Sequence, residues 1–494
     1  MAEYVIGVDL GTSSLKSILI DRSGNVIAEA SSPYDVLNEH IGYSEQDPED
    51  WYEAFEKNLL ELCEKKKDIL ENLKGISFSG QMHSLVLLDE NKEVLRKAIL
   101  WNDTRTTNQC QDIMEFYGEE LLYITKNQAL EGFTLPKILW VQENEPDIWE
   151  RVRHILLPKD YLRFRLTGKI GMDYSDASGT LLLDLNDNIW STATARKYKI
   201  PIDYLPELLF SHQEVGLLEA KLKEKFKFSN DIHIFAGGAD NACSALGAGI
   251  LDSETGLCSI GTSGVVLGVD DYKPELSNGE LHYFKHVVPD FSYSMGVTLA
   301  AGSSLAWYRG VFAKESSFED LLDQVDSVPL GADGMLFTPY IDGERTPYVD
   351  SKVRGSFIGI DRCHTFPHFT RAVIEGITFS LKDGLDLLEE RGQTKFNKIV
   401  SVGGGAKNHS WLQIQADIFN KDIFCLEEEQ GPAMGAAMLA AIGLGWYQDY
   451  NELAKDWVKV KMKYSPIDKN VKLYNDIYAK YHRIYKATKM IVGA

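Results

Sequence analysis

The chain is poor in several things, and each shortage removes a class of function. It has six cysteines in 494 residues, scattered at Cys63, Cys110, Cys243, Cys258, Cys363 and Cys425 with no Cys-x-x-Cys pair. A zinc or dithiol redox centre is therefore disfavoured, and reduced thiols in the cytoplasm are the expectation. It lacks positive charge: 51 Lys and Arg stand against 73 Asp and Glu, a formal net charge of -22. Such a surface repels nucleic-acid phosphates and anionic lipid, so neither is expected as a partner. Residues 1–5, Met1-Ala2-Glu3-Tyr4-Val5, have neither the basic segment nor the apolar core of a signal peptide. The most apolar late stretch, residues 434–446, falls short of the roughly 20 residues that cross a bilayer. A Walker loop is missing too, because Gly168-Lys169 is followed by Ile170 without the upstream glycine.

What is present is the composition of a soluble globular chain, 44% hydrophobic and 25% charged. Chains beyond about 250–300 residues divide into domains, and two are expected here, residues 1–248 and 254–494. The opening reads as a three-stranded meander. Residues 4–8 and 15–20 are apolar strands around the turn Asp9-Leu10-Gly11-Thr12-Ser13-Ser14, and residues 26–30 form a third strand after Arg22-Ser23-Gly24-Asn25. The device recurs. Residues 256–260 and 265–269 are strands around Gly261-Thr262-Ser263-Gly264, so Gly-Thr-Ser stands at 11–13 and again at 261–263. The same tripeptide in the same context suggests two related halves with phosphate-facing hairpins. Residues 234–236 are a strand that runs into Gly237-Gly238-Ala239-Asp240-Asn241 and a small-residue helix over 242–249. Later, strands over 291–297, 398–402 and 422–426 alternate with helices over 301–311, 369–392, 411–419 and 432–444. Alternation of this kind means helices covering a sheet. Residues 471–491 read as a helix that either packs or forms an interface, and a homodimer is left open.

The hairpin turns carry chemistry. Successive backbone N–H groups with Thr12, Ser13 and Ser14 hydroxyls suit phosphate oxygens. Asp9 at a strand end can hold a metal-bound water beside them, and Lys16 adds a cation. The alternative is an ordinary polar hairpin. Asp240 either caps its helix or acts as general base toward a substrate hydroxyl. Phosphoryl transfer needs a positioned hydroxyl, a base, a metal and phosphate donors, and these residues compose that set. A third cluster, Gln81-Met82-His83-Ser84 and Trp101-Asn102-Asp103-Thr104-Arg105, follows two apolar strands. Strand ends are where open α/β sheets bind ligands. Met82 and Trp101 can pack on sugar carbons while His83, Asn102 and Asp103 bond hydroxyls; His83 alone would more often be structural. Gly403-Gly404-Gly405 is either a tight strand-to-helix turn or an incomplete dinucleotide fingerprint.

Together these residues resemble the FGGY carbohydrate kinases. The likeness runs from Val8-Asp9-Leu10-Gly11-Thr12-Ser13 to Gly431-Pro432-Ala433-Met434-Gly435-Ala436-Ala437, and takes in Asp173-Tyr174-Ser175-Asp176-Ala177-Ser178-Gly179-Thr180, Gly238-Ala239-Asp240-Asn241 and Gly343-Glu344-Arg345-Thr346-Pro347. The resemblance implies two ribonuclease-H-like (actin-like ATPase) domains flanking a central cleft. It implies ATP and Mg2+ as cofactors and a small sugar as partner. It implies Asp240 as the base, Asp9 organising magnesium, and Thr12, Ser13, Ser14 and Lys16 meeting phosphates opposite Thr262. Gly302, Gly405 and Asn408 would line the nucleotide pocket, and Met82, His83, Asp240 and Asn241 would hold the sugar. The implied reaction converts D-xylulose to D-xylulose 5-phosphate. Ser84, where ketopentose kinases of the family commonly carry glycine, looks more like the gluconate kinases. No added cation for an anionic sugar acid is evident beside this cluster. Ribulose is a further candidate substrate. The rivals from other classes are a non-catalytic actin-like ATPase, which would need no sugar, and a dinucleotide oxidoreductase resting on residues 403–405 alone.

Overall fold

The computed structural model describes residues 3–270, 279–392 and 395–492. Its frame is one strand pattern built twice. The first sheet contains β1 (Tyr4–Leu10), β2 (Ser14–Asp21), β3 (Val26–Pro33), β4 (Leu73–Gly80), β5 (Glu214–Leu217) and β6 (His233–Phe235), ordered β5-β6-β4-β1-β2-β3. The short strand Gly238–Ala239 pairs beside the end of β4. The second contains β7 (Thr255–Ile260), β8 (Gly264–Asp270), β9 (His282–Lys285), β10 (Ser292–Thr298), β11 (Lys398–Gly403), β12 (Asp422–Leu426) and β13 (Val460–Tyr464), ordered β9-β10-β8-β7-β11-β12-β13. In each half an antiparallel hairpin leads (β1–β2, β7–β8), with a third antiparallel strand on its second member (β3 on β2, β10 on β8), and two later strands extend the sheet in parallel from its first: β4 on β1 and β6 on β4, β11 on β7 and β12 on β11. The repeated Gly-Thr-Ser is thus the trace of a repeated topology, and the two halves are the expected ribonuclease-H-like pair around a cleft.

Burial explains the strands. In β1 Tyr4, Val5, Ile6, Gly7, Val8 and Leu10 are buried, because helices cover both faces of a mixed sheet. Helices α1 (Pro48–Lys65) and α2 (Pro158–Thr167) cover one face of the first sheet. Asp47 caps α1 by accepting the Glu49 N–H, and Pro48 sits at its first position.

Two further helices tie the halves together. Helix α3 (Asp240–Gly247) follows the first sheet, and α7 (Pro432–Gly443) follows β12 of the second. Helix α7 crosses over and packs on β1, β4 and α3 of the first half. Its Ala433, Met434 and residues 436–441 are buried all round, as suits a helix without a solvent face. Glycines set the approach. A Cβ on Gly7 would lie 2.0 Å from the Ala433 carbonyl oxygen, and one on Gly435 would lie 1.9 Å from that of Cys243. The 432–444 helix therefore exists as expected, but it serves the sheet of the other half. One apolar core accordingly draws on both halves, joining Val5 and Ile18 to Leu257, Phe284, Ala437 and Met438.

The remaining helices are α4 (Gly302–Phe312), α5 (Phe366–Gly392), α6 (His409–Phe419) and α8 (Asp468–Val492). Helix α8, at the end of the sequence, packs on the second half through one face. Its Tyr474, Ile477, Tyr478 and Tyr481 are buried on one face, and the Tyr474 and Tyr478 hydroxyls bond Glu375 and Asp383 of α5 at 2.7 and 2.6 Å. It is a packing helix. No disulfide occurs among the described residues, and of the six cysteines Cys363 is the exposed one. No helix of the described residues is long and apolar enough to cross a membrane.

Candidate active site

The site is built on parallel strand ends. Asp9, the penultimate residue of β1, pairs with Ser79 of β4, and Ser79 pairs with Gly238. The chain then enters α3, so Asp240 emerges next to Asp9. Gly237 makes this turn at φ 76°, where a Cβ would come within 2.2 Å of the Phe78 carbonyl oxygen. Asp240 does not act as the helix cap: Ala239 holds that position, and the helix has no side-chain cap bond. Instead Asp240 Oδ1 accepts from the Asn241 N–H at 2.6 Å and from Asn241 Nδ2 at 3.0 Å. Oδ2 has no bond to the described residues.

Burial raises the Asp240 carboxyl to about 7, and the neighbouring Asp9 charge adds to the rise. Asp9 is raised to about 6, again chiefly by burial, with Lys16 opposing. Two carboxylates sharing a desolvated corner each resist ionisation, which leaves Asp240 part-ionised at neutral pH. Lys16 is the cross-strand partner of Asp9 and lies 3.6 Å from Glu29.

Does this corner suit a divalent cation? Among the described residues no group of three or more His, Cys, Asp or Glu could hold a metal. A magnesium ion needs only one or two carboxylates from the protein and completes its shell with water and phosphate oxygens. The mutual repulsion of Asp9 and Asp240 is itself the observation that a cation would relieve.

Around the acids sits the sugar-side cluster. His83 adopts φ 66°, and its Nδ1 lies 2.7 Å from the Gly179 carbonyl oxygen. Burial holds its pKa down to about 3, with the charges of Lys137 and Arg345 acting in the same direction. The ring is therefore neutral, Nδ1–H donates to Gly179, and Nε2 is an acceptor. Met82 is buried; its sulfur takes weak bonds from Asn241 Nδ2 at 3.7 Å and from the Tyr293 hydroxyl at 3.8 Å. Trp101 is 41% exposed, and its indole N–H donates to Thr12 Oγ1 at 2.9 Å. That bond joins the sugar side to the first phosphate-type turn, where Thr12, Ser13 and Ser14 are partly or fully open to solvent.

Two expected sugar ligands lie elsewhere. Asp103 is fully buried. Its two oxygens are taken by Arg105, at 2.7 to 3.0 Å, and by the Ser44 N–H at 2.6 Å. Arg105 in turn pairs with Glu45 at 2.8 Å and lies over Tyr43 at 3.6 Å. Asp103 is therefore a structural anchor with no lone pair to offer a sugar. Asn102 is exposed and lines a surface recess with residues 38–44. The unusual Ser84 also turns away from the sugar cluster. Its hydroxyl donates to Gln81 Oε1 at 3.2 Å and accepts from the Trp101 N–H at 3.0 Å.

The hairpin turn of the second half, Gly261-Thr262-Ser263-Gly264, carries no carboxylate. Thr262 is exposed, and its carbonyl oxygen accepts from Ala301 and Ser303 N–H at the start of α4. Gly302 is there because the hairpin is close: a Cβ would lie 2.3 Å from the Gly261 carbonyl oxygen. Ile260 pairs with Gly403, and Gly405 packs on the Ile260 side chain. Residues 403–405 thus form a tight strand-to-helix turn. Asn408 caps α6, with Oδ1 accepting from the Trp411 N–H at 3.0 Å. That leaves its Nδ2 for other use.

Residues that sequence reading did not place in the site come from the second half. The Tyr293 hydroxyl reaches Met82, and the Phe284 ring centre lies 5.8 Å from that of His83. The charge of Arg345 bears on both His83 and His282, so the sugar side does have a cation near it. Its backbone N–H is held by the buried Glu344 at 2.8 Å. The Gly343-Glu344-Arg345-Thr346-Pro347 segment was visible in the sequence as a motif, but nothing local tied it to His83.

The chain belongs to the FGGY family of carbohydrate kinases. The family's N-terminal domain matches residues 4–247 and its C-terminal domain residues 256–444. The chain is 51% identical over 487 residues to a xylulose kinase of Bacillus subtilis, covering 99% of this chain and 97% of that one. Among solved structures, a ligand-bound xylulose kinase from Lactobacillus acidophilus superposes with a TM-score of 0.94 at 28% identity, covering 99% of each chain. A gluconate kinase from the same organism gives a TM-score of 0.93, also at 28% identity, covering 99% of this chain and 98% of that one. The dinucleotide reading of residues 403–405 is accordingly set aside, and the chain is a sugar-kinase phosphotransferase.

Proposed function

We propose that this carbohydrate kinase transfers the γ-phosphoryl group of ATP to the terminal hydroxyl of D-xylulose, giving D-xylulose 5-phosphate and ADP. The observation that carries the chemistry is the Asp240 carboxylate: desolvated, raised to about 7 and bonded through Oδ1 alone. A base with that affinity is part-ionised at neutral pH and takes a proton readily. Oδ2 receives the hydroxyl proton as the sugar oxygen attacks phosphorus, and ADP leaves in line. Asn241 fixes the carboxylate, and Met82, His83 and Asn241 orient the sugar. His83 Nε2 accepts a hydroxyl hydrogen, and Trp101 closes the mouth of the site. Asp9 would hold Mg2+ through water, and the ion would neutralise phosphate charge. Thr12, Ser13, Ser14 and Lys16 meet the phosphates from the first half and Thr262 from the second, with Gly302, Gly405 and Asn408 along the nucleotide.

The roles divide the chain into a sugar-binding, catalytic part over 1–248 and a nucleotide part over 254–494. The unpaired cysteines suit work in the cytoplasm. D-xylulose is preferred because relatives of that name match at about half identity over the full length. A second reading, an anionic sugar acid, is favoured by the positive charge of Arg345 beside His83. A panel of D-xylulose, D-ribulose and D-gluconate, scored by magnesium-dependent ADP release, separates them. Turnover with D-xylulose is expected; turnover with D-gluconate and none with D-xylulose would replace the substrate and keep the mechanism. ATP hydrolysis unaffected by any sugar would point instead to an actin-like ATPase without transfer.

A further inference from the structure

Asp240 is fixed within its own helix by bonds from Asn241, the next residue. Those bonds do not set where the helix begins. The turn over residues 236–239 does, and a buried ion cluster holds that turn at three points. The Arg163 guanidinium donates to the Ala236 carbonyl oxygen at 2.8 Å. The Gly237 N–H donates to the Ser211 carbonyl oxygen at 2.9 Å. The Ala239 N–H, one residue before Asp240, donates to Ser175 Oγ at 2.9 Å.

The three holds share one set of charges. Lys159 and Arg163 of α2 are wholly buried, as are Asp160, Asp173 and Asp176. Lys159 Nζ lies 2.8 Å from Asp160 Oδ1, 2.8 Å from Asp173 Oδ1 and 3.0 Å from Asp176 Oδ2. Burial opposes the Lys159 charge, but the carboxyl groups of Asp160, Asp173 and Asp176 outweigh it and raise the ammonium above the ordinary lysine value. Arg163 joins through Asp160 at 3.1 Å. Asp173 Oδ2 accepts the Ser175 hydroxyl at 2.5 Å, the Ser175 N–H at 2.9 Å and the Ser211 hydroxyl at 2.9 Å. Lys159 also backs the neighbouring strand: Ala239 pairs with Gly80, and a Cβ on Gly80 would lie 2.8 Å from that of Lys159.

A buried ion cluster is a poor source of stability, because desolvation offsets most of the attraction. What it does give is fixed geometry, since no member can move away without stranding a buried charge. Here that geometry ends on the residue before Asp240. We propose that Ser175 is a positioning residue for phosphoryl transfer: its hydroxyl, aimed by Asp173 and the Lys159 cluster, sets the Ala239 backbone and so places the Asp240 carboxylate at the sugar hydroxyl. The proposal rests on Asp240 as the base.

Ser175→Ala and Ser211→Ala make the test. Each removes one hydroxyl from the same Asp173 oxygen, and each leaves Asp173 bonded to Lys159 and to the N–H of residue 175, so no buried charge is stranded. Only the first takes away the acceptor of the Ala239 N–H; Ser211 holds Gly237 through its carbonyl, which alanine keeps. A role confined to folding predicts that both variants lose thermal stability and neither loses kcat. Positioning predicts a kcat about 10–10²-fold lower for Ser175→Ala, the scale of an ångström's misplacement, with KM for D-xylulose and ATP within about threefold of normal. The limb of its pH profile should stay near 7, because the charges around Asp240 are unchanged. Ser211→Ala should keep kcat within about threefold. Ser175→Cys, of similar shape with a weaker acceptor, should show a smaller loss, still above about threefold, and carries the test if the alanine variant does not fold.

Asp240→Asn in the same series keeps the two readings apart. An inactive Asp240→Asn beside normal kcat in Ser175→Ala or Ser175→Cys would overturn the positioning role alone. Near-normal turnover in Asp240→Asn would remove the base and this proposal with it. Equal kcat losses in Ser175→Ala and Ser211→Ala would also overturn it.

Discussion

The two hairpins are built alike and equipped differently. In the first, Asp9 pairs across the strands with Lys16; in the second, the residue two before the repeated Gly-Thr-Ser is Ser259, and it pairs with Val265. An acid–ammonium pair in one half is matched by a hydroxyl and an isopropyl group in the other. The first half therefore carries the buried acids, while the second offers backbone N–H groups, hydroxyls and close-approach glycines. The hairpin is repeated but the acid is not, and a second buried acid facing Asp9 and Asp240 would only deepen their mutual repulsion.

Making the first hairpin like the second breaks this division most severely. Asp9→Ser should lower kcat by about 10²–10³-fold, the scale of losing one preorganised electrostatic group. Ser259→Asp added to it should restore nothing, because that acid sits on the wrong strand. Steady-state rates with magnesium check both; recovery in the double variant would mean that the halves are interchangeable.

The acid pair also sets a pH signature. The base must be ionised, so kcat/KM should rise with pH to a limb near 7. Asp9→Asn removes the neighbouring charge, so the limb of its residual activity should move to lower pH. Stability runs the other way. Both folded carboxyls lie above their unfolded values, so their stabilising effect is complete below about pH 4 and lost as pH rises through about 6 to 7. Asp240→Asn should therefore raise Tm at pH 8 relative to the unaltered chain, and change it less at pH 5.

At the seam, Gly435→Val puts a side chain where a Cβ already lies 1.9 Å from Cys243 O. Overpacking of this kind costs about 1–3 kcal/mol or more, read as a Tm several degrees lower. The smallest effect is expected of Ser84→Gly. Its hydroxyl faces Gln81 and Trp101, so the D-xylulose to D-gluconate preference should change less than threefold. A larger change would mean that the 81–84 loop reads the substrate.

These features differ in how far the sequence disclosed them. The hairpins, Asp9 and Asp240 are legible, because strand alternation and glycine turns are local signals. Helix α7 was legible as a helix, but not as cover for the opposite sheet, since a segment apolar all round carries no facing information. Asp103 resembled a ligand because its type and strand-end position fit; its capture by Arg105 and Ser44 depends on the fold of residues 43–45. Tyr293, Phe284 and Arg345 reach His83 and Met82 from more than 200 residues away, and no periodicity encodes such contacts.

Sugar-dependent ADP release by Asp240→Asn, with ATP affinity measured on the same sample, tests the central claim most directly. A fall of at least 10³-fold in turnover with ATP bound within about threefold of normal is expected. Turnover near that of the unaltered enzyme would contradict the assignment of Asp240 as the base.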